Sequence, residues 1–236
     1  MKVEDLPVKN EIKEVLTLHE VKELYPPQAE ALPFVLEGKN IVLSIPTASG
    51  KSLVAYLGIV NKLVKEGGKA LYIVPLKALA REKFEELKLF ESLGLKVGIS
   101  TGDLDDSDPR LARFDIIVCT SEKADSLLRH KISWLDKIKV LVIDEIHLIH
   151  DPSRGPTLEV IISHFKSLNP TTQIIALSAT IKNATELSIW LDGKLIQSDW
   201  RPVPLKEGVC LRNRVKFDDG KTIETVSYTH LTLPTN

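Results

Sequence analysis

Two short stretches carry residues whose types and spacing could do chemistry. The first, "SIPTASGKS" at Ser44–Ser52, ends in Gly-Lys-Ser as a phosphate-cradling loop does, but has Ile45 where the full pattern has its first glycine. A bare Gly-Lys-Ser is weak evidence, so its neighbours decide. Upstream, "NIVLSIP" (Asn40–Pro46) is a β-branched apolar run that reads as a buried strand. Downstream, Leu53, Leu57, Val60, Leu63 and Val64 recur at helical spacing until Gly67 and Gly68. Strand, small-residue turn and helix is the context such a loop demands. The turn runs from Thr47 through Ala48 and Ser49 to Gly50, and its small side chains let backbone N–H groups face an anion. The helix N-terminus adds partial positive charge. Lys51 has the reach for the β- and γ-phosphates of ATP, and the Ser52 hydroxyl can ligate Mg²⁺.

The second stretch is "KVLVIDEIHLIH", Lys139–His150, where an apolar run ends in Asp144-Glu145. Two carboxylates at the rim of a buried strand are costly unless a cation or a reaction uses them. Beside a phosphate loop, the first can hold Mg²⁺ and the second can orient and deprotonate water for attack on the γ-phosphorus. His147 follows two residues later, which goes beyond the needs of a generic ATPase.

These residues need a scaffold, and the rest of the chain supplies one. Further strand patterns are Ala70–Pro75, Lys96–Thr101, Phe114–Thr120, Lys139–Asp144, Gln173–Thr180 and Lys194–Ser198. Helical patterns lie between most of them, at Leu76–Ser92, Ser121–His130, Thr157–Leu168 and Asn183–Leu191. The last opens with Asn183 and Glu186 at capping-box spacing. This alternation predicts an α/β fold with a mostly parallel central sheet flanked by helices. In such sheets chemistry sits beyond the carboxyl ends of the strands.

The Asp-Glu-Ile-His run resembles the DExH box of superfamily-two helicases, and other stretches fall in the order of that family's motifs. "LYPPQAEAL" (Leu24–Leu32) resembles the motif whose glutamine reads adenine, a role that passes to Gln28. In this family the first loop glycine is commonly replaced, which accounts for Ile45. "PLKALAREK" resembles a motif that touches the nucleic-acid backbone, with Pro75, Leu76 and Lys77 as its candidate contacts. "STGD" and "TSEK" resemble two further strand-gripping motifs, carried by Thr101 and Gly102 and by Thr120 and Ser121. Ser178, Ala179 and Thr180 resemble the motif that couples hydrolysis to movement, and the resemblance implies a link from His147 to Ser178 or Thr180. Strand ends that lead into helix starts offer N–H groups to phosphates without reading bases, as suits a motor that follows any sequence. Arg154 and Glu159 receive no role.

The wording of "CTSEKADSLLRH", "DEIHLIHDPSRGPTLEV" and "WRPVPLKEGV" is similar to the archaeal fork-acting DNA helicases of the Ski-type group. That resemblance implies a RecA-like first motor domain, ATP and Mg²⁺ as cofactors, and single-stranded or forked DNA as partner. It implies residues 1–199 as the ATP-binding domain, 200–208 as a linker, and 209–225 as the start of a second RecA-like domain. That second domain and those downstream are expected on the same polypeptide, since no Gln-x-x-Gly-Arg-x-Gly-Arg motif occurs here. Residues 226–236, "VSYTHLTLPTN", read as the translation of a transposase-type sequencing adapter and fall outside the fold argument. An RNA helicase of the same superfamily and a non-catalytic nucleotide-binding module remain open as alternatives. A phosphate-loop kinase does not, because it has no use for the DExH box.

Composition sets the remaining bounds. The 236 residues are 43% hydrophobic and 27% charged with a net charge of −1, an ordinary globular balance that argues against a histone-like basic binder but not against a protein that follows a nucleic-acid backbone with loop amides. No signal-peptide core or membrane-length apolar run is present. Cys119 and Cys210 have no metal-type spacing. A cytoplasmic monomer is the expectation.

Overall fold

Seven apolar runs become seven strands because each is short, β-branched and bounded by turn residues or a helix start. The computed structural model describes residues 1–102, 109–130 and 132–224. Asp103, the last residue of "STGD", and the adapter-like segment 226–236 lie outside the described residues. In chain order the elements of the sheet layer are α1 (Asn10–Leu18), α2 (Pro26–Leu36), β1 (Ile41–Ser44), α3 (Lys51–Glu66) and β2 (Lys69–Val74). Next come α4 (Lys77–Lys88), β3 (Val97–Ser100), β4 (Ile116–Thr120), α5 (Ser121–Arg129) and β5 (Ile138–Ile143). The layer closes with α6 (Gly155–Leu168), β6 (Gln173–Ser178), α7 (Ala184–Trp190) and β7 (Lys194–Gln197).

The seven strands lie in the order β3-β4-β2-β5-β6-β1-β7, and every neighbouring pair is parallel. The strand Gln173–Ser178 therefore separates the strand leading into the Gly-Lys-Ser loop from the one ending in Asp144. Alternate residues of each strand feed two apolar layers. One layer joins Ile41, Leu43, Tyr72, Val140, Val142 and Ile175 to the first four helices. The other joins Leu71, Ile73, Ile117, Leu141, Ile143 and Ile174 to α5, α6 and α7. Both faces are covered, which is why these strands read as continuous apolar runs. Cys119 is buried in the second layer with its thiol pushed up to about 12 by that burial, so it is inert.

Local departures from the sequence reading have local causes. Helix α1 was not anticipated; its buried Ile12, Val15 and Leu16 pack on the first layer. The run Leu76–Ser92 divides, since α4 ends at Lys88 and a 3₁₀ turn occupies Leu89–Leu93. Helix α6 starts two residues earlier than the pattern suggested, with Pro156 in its first turn where a missing N–H costs nothing. The Asn183 capping box does not form. Asn183 makes no cap bond and its side-chain amide goes to His150 Nε2 instead, so the neighbouring turn outcompetes the helix end.

The chain divides at Trp200. Among the described residues after it, β8 (Gly208–Leu211), β9 (Arg214–Phe217) and β10 (Thr222–Glu224) form an antiparallel meander. An Asp218-Asp219-Gly220 turn joins β9 to β10, with Gly220 at φ 81°. A second hairpin turns at Arg212-Asn213, and Val209, Leu211 and Ile223 are exposed on these strands. Among the described residues no helix is long and apolar enough to cross a membrane.

Candidate nucleotide site and nucleic-acid edge

The sheet order sorts the candidate residues into two groups. Thr101 and Gly102 follow β3, Thr120 and Ser121 end β4 and open α5, and Pro75, Leu76 and Lys77 follow β2. These strands are neighbours in the half-sheet β3-β4-β2, so the three segments meet along one carboxyl edge. The loop after β1, the carboxylates after β5 and Ser178 at the end of β6 share the adjoining half, β5-β6-β1. With strands ~4.8 Å apart, β1 and β5 lie roughly 10 Å apart across β6, about the width of a triphosphate. Helix α3 leaves β1 into the first layer and α6 leaves β5 into the second, which opens the sheet edge between them.

The loop's backbone explains Ile45. Ile45 continues β1: its side chain is fully buried, and its N–H donates to Ser178 O at 3.2 Å. No left-handed conformation is needed there. The left-handed positions are Ala48 at φ 64° and Gly50 at φ 69°, the residue before the helix. Lys51 is buried, and its Nζ donates to Ile45 O at 3.4 Å. Burial lowers its pKa, against the opposing pull of Glu145 and Asp144.

Gln28 is placed by the start of α2. Tyr25 N–H donates to Gln28 Oε1 at 2.8 Å, one half of a capping box with Pro26 and Pro27 in the first turn. Its amide then donates to Gly50 O at 2.8 Å and Ser49 O at 3.3 Å. Gln28 thus grips the phosphate loop's main chain, a partnership that sequence spacing did not reveal. Ser49 Oγ donates to Trp200 O at 3.4 Å, and the Trp200 ring meets Tyr25 at 4.7 Å.

At the end of β5, Asp144 N–H donates to Ile73 O at 2.8 Å, so the carboxylate leaves the strand with its backbone fixed. Asp144 Oδ1 accepts from Glu145 N–H at 3.0 Å, and Oδ2 accepts from the Tyr72 hydroxyl at 3.2 Å. Glu145 is left-handed at φ 51°, strain that turns its side chain away from the strand line. Burial, and then the charge of Glu145, push the Asp144 pKa upward; Lys83 and the Tyr72 hydrogen bond oppose this. Lys51, Ser52, Asp144 and Glu145 line one cavity of 580 Å³ together with Thr47, Ala48 and Gly50.

Not every expected link forms. His147 Nδ1 lies 3.2 Å from Glu145 Oε2 yet makes no hydrogen bond, and the buried Ser178 Oγ also lacks a partner. The 3₁₀ turn Ile146–His150 brings the ring beside Glu145. That turn is backed by α6, because a Cβ on Gly155 would stand 2.1 Å from Ile149 O. Arg154 precedes α6, and its N–H donates to Asp151 Oδ1 at 3.0 Å, while Glu159 is exposed. Thr120 and Ser121 are buried, and Thr120 Oγ1 accepts from Lys123 N–H at 3.4 Å, which occupies one N–H of that helix start. Ser44 was missed by the sequence reading. Its hydroxyl donates to Ala179 O at 3.2 Å and accepts from Ile181 N–H at 3.4 Å, pinning the Ser178–Thr180 segment to β1. The clue was a serine inside an otherwise apolar run.

Residues 25–187 match the DEAD/DEAH box helicase family. The chain belongs to that family. It is 57% identical over 232 residues to the ATP-dependent DNA helicase Hel308 of Pyrococcus horikoshii, covering 98% of this chain and 32% of that protein. The Hel308 proteins of Thermococcus kodakarensis and Methanocella arvoryzae are 56% and 51% identical, each over 94% of this chain. The chain spans about a third or less of these relatives, at 32%, 20% and 30% of their lengths. Among solved structures, the DUF1998 helicase MrfA bound to DNA and AMPPNP has a TM-score of 0.70 and 27% identity, over 84% of this chain and 30% of that one. This DEAD/DEAH box fold supplies the expected RecA-like sheet.

Proposed function

We propose that the chain is the ATP-binding motor portion of a DNA helicase that hydrolyses ATP to move along single-stranded or forked DNA. The observation that carries the proposal is the shared cavity in which Lys51, Ser52, Asp144 and Glu145 converge at one sheet edge. The 57% identity to a DNA helicase favours DNA over RNA. Lys51 meets the β- and γ-phosphates while the backbone from Thr47 to Gly50 cradles them. Gln28 holds the loop, and the adenine-reading role that the family motif gives it would require its amide to leave the Ser49 and Gly50 carbonyls.

The donor set suits Mg²⁺. Ser52 and Asp144 offer hard oxygen donors, and among the described residues no group of three or more His, Cys, Asp or Glu side chains could hold a metal by itself. An ion that keeps water and takes phosphate oxygens needs no more than that. Bound Mg²⁺ would neutralise charge on the phosphates. Glu145, aimed by its left-handed backbone, accepts the proton of the attacking water. Ser178, Ala179 and Thr180 link the nucleotide half of the sheet to movement. Pro75, Leu76, Lys77, Thr101, Gly102, Thr120 and Ser121 follow the strand backbone along the adjoining half. The motor works in the cytoplasm as a monomer, with further domains of the same polypeptide completing the ATP clamp.

Titration of the chain with Mg·ATP should show binding that Lys51→Ala abolishes, and fluorescence anisotropy should show tighter binding to single-stranded DNA than to RNA of the same sequence. Equal or tighter RNA binding would move the reading to an RNA helicase. The chain alone should turn ATP over only very slowly, since the further domains complete the clamp; ATP binding without any turnover by the protein that carries those domains, even with DNA, would leave a non-catalytic module.

A further inference from the structure

Tyr72 sits in the middle of the sheet, fully buried, and lines no part of the nucleotide cavity. Its neighbour in register on β5 is Val142, and Asp144 lies two residues further along the same face. The ring lies in the apolar layer with Tyr56, at a centroid distance of 5.8 Å. Its hydroxyl reaches past Val142 to Asp144 Oδ2 at 3.2 Å. The other carboxylate oxygen takes the Glu145 N–H at 3.0 Å. The two donors stop rotation of the carboxylate about its last bond, one from the backbone of the following residue and one from the adjacent strand.

We infer that Tyr72 is a positioning residue for the metal carboxylate, fixing the face that Asp144 presents to the divalent cation of a bound nucleotide. The inference rests on the proposed role of Asp144. Outer partners of this kind orient a ligand without touching the metal, and their loss typically costs 10–100-fold in metal affinity. Mg²⁺ that keeps water and phosphate oxygens depends less on one carboxylate, which puts the expected effect near the lower end, about tenfold. A tyrosine that merely filled the layer would leave metal affinity alone. A phenol buried among apolar side chains needs some partner, but that need does not dictate which one. Here the phenol donates to the carboxylate on which the metal chemistry depends, with the Ser52 hydroxyl also beside it.

The test measures ATP binding by the full chain while Mg²⁺ is titrated at fixed nucleotide, in wild type, Tyr72→Phe, Asp144→Asn and the double variant. Tyr72→Phe keeps the ring and removes only the hydroxyl. It should raise the Mg²⁺ concentration for half-saturation about tenfold, with ATP binding in excess chelator unchanged. In the Asp144→Asn background the same change should have no further effect on metal dependence. Unaltered metal dependence in Tyr72→Phe, or an equal shift with and without Asp144, would overturn the assignment. A wild-type chain whose ATP binding ignores Mg²⁺ would sink the metal role of Asp144 itself, and this assignment with it.

Discussion

Gly50 faces two constraints at once, and substituting alanine there separates them. Its backbone is left-handed at φ 69°, and a Cβ would stand 2.4 Å from Gln28 Nε2. The conformation alone costs an alanine about 1–2 kcal/mol. The clash adds more, because Gln28 cannot move away freely: it is buried, and its amide donates to Gly50 O at 2.8 Å and Ser49 O at 3.3 Å. Losing two such bonds costs about 2 kcal/mol at roughly 1 kcal/mol each. The total is about 3–4 kcal/mol, which for a unit of this size lowers the thermal midpoint by about 6–16 °C. In a Gln28→Ala background the clash is gone, so Gly50→Ala should cost only the backbone part. A double-mutant cycle read by urea unfolding should therefore show a coupling of about 2 kcal/mol between the two sites. Costs that add to within about 0.5 kcal/mol would refute the argument, because they would mean that Gln28 does not hold the loop.

Three further outcomes are expected. Glu145→Gln should leave ATP binding by the chain nearly unchanged while slowing turnover of the protein that carries the further domains about a hundredfold, the scale of a lost general base, as measured by phosphate release. Ala48→Gly should raise stability by up to about 1 kcal/mol in chemical unfolding, since Ala48 already has φ 64° and glycine relieves that strain. Asp144→Asn should raise the thermal midpoint of the ligand-free chain at neutral pH while weakening Mg²⁺-dependent ATP binding. The Asp144 carboxyl is shifted upward in the fold, so the folded state holds its proton to higher pH than the unfolded chain. Its contribution therefore falls as pH rises from the ordinary carboxylate range through the folded value, and the asparagine should flatten the stability profile in that window.

The strands and most of the helices were legible because burial on both sheet faces forces continuous apolar runs, and small or polar residues break them. The nucleotide loop was legible because a phosphate needs backbone N–H groups, small residues and a lysine in sequence, a local demand. What was not legible depended on pairing across the sheet. Nothing in the spacing of Tyr72 and Asp144 shows that β2 and β5 are neighbours, so the hydroxyl in "ALYIVP" read as one more strand residue. Ser44 and Ala179 are likewise joined only because β1 lies beside β6. His147 Nδ1 and Ser178 Oγ are both left without a hydrogen bond, and the family motif alone cannot show how the turn after Glu145, backed by α6 at Gly155, sets that ring. Strand order also separates the motifs physically. Chain order interleaves them, with the loop after β1, candidate DNA contacts after β2, β3 and β4, and the carboxylates after β5. Sheet order places all of the first kind on one side of the β2–β5 boundary and all of the second on the other. A side chain that spans that boundary is therefore well placed to connect them, and Tyr72 on β2, hydrogen-bonded to Asp144 just beyond β5, does so. The strand that delivers Pro75–Lys77 to the expected DNA edge also supplies a donor to the expected metal site.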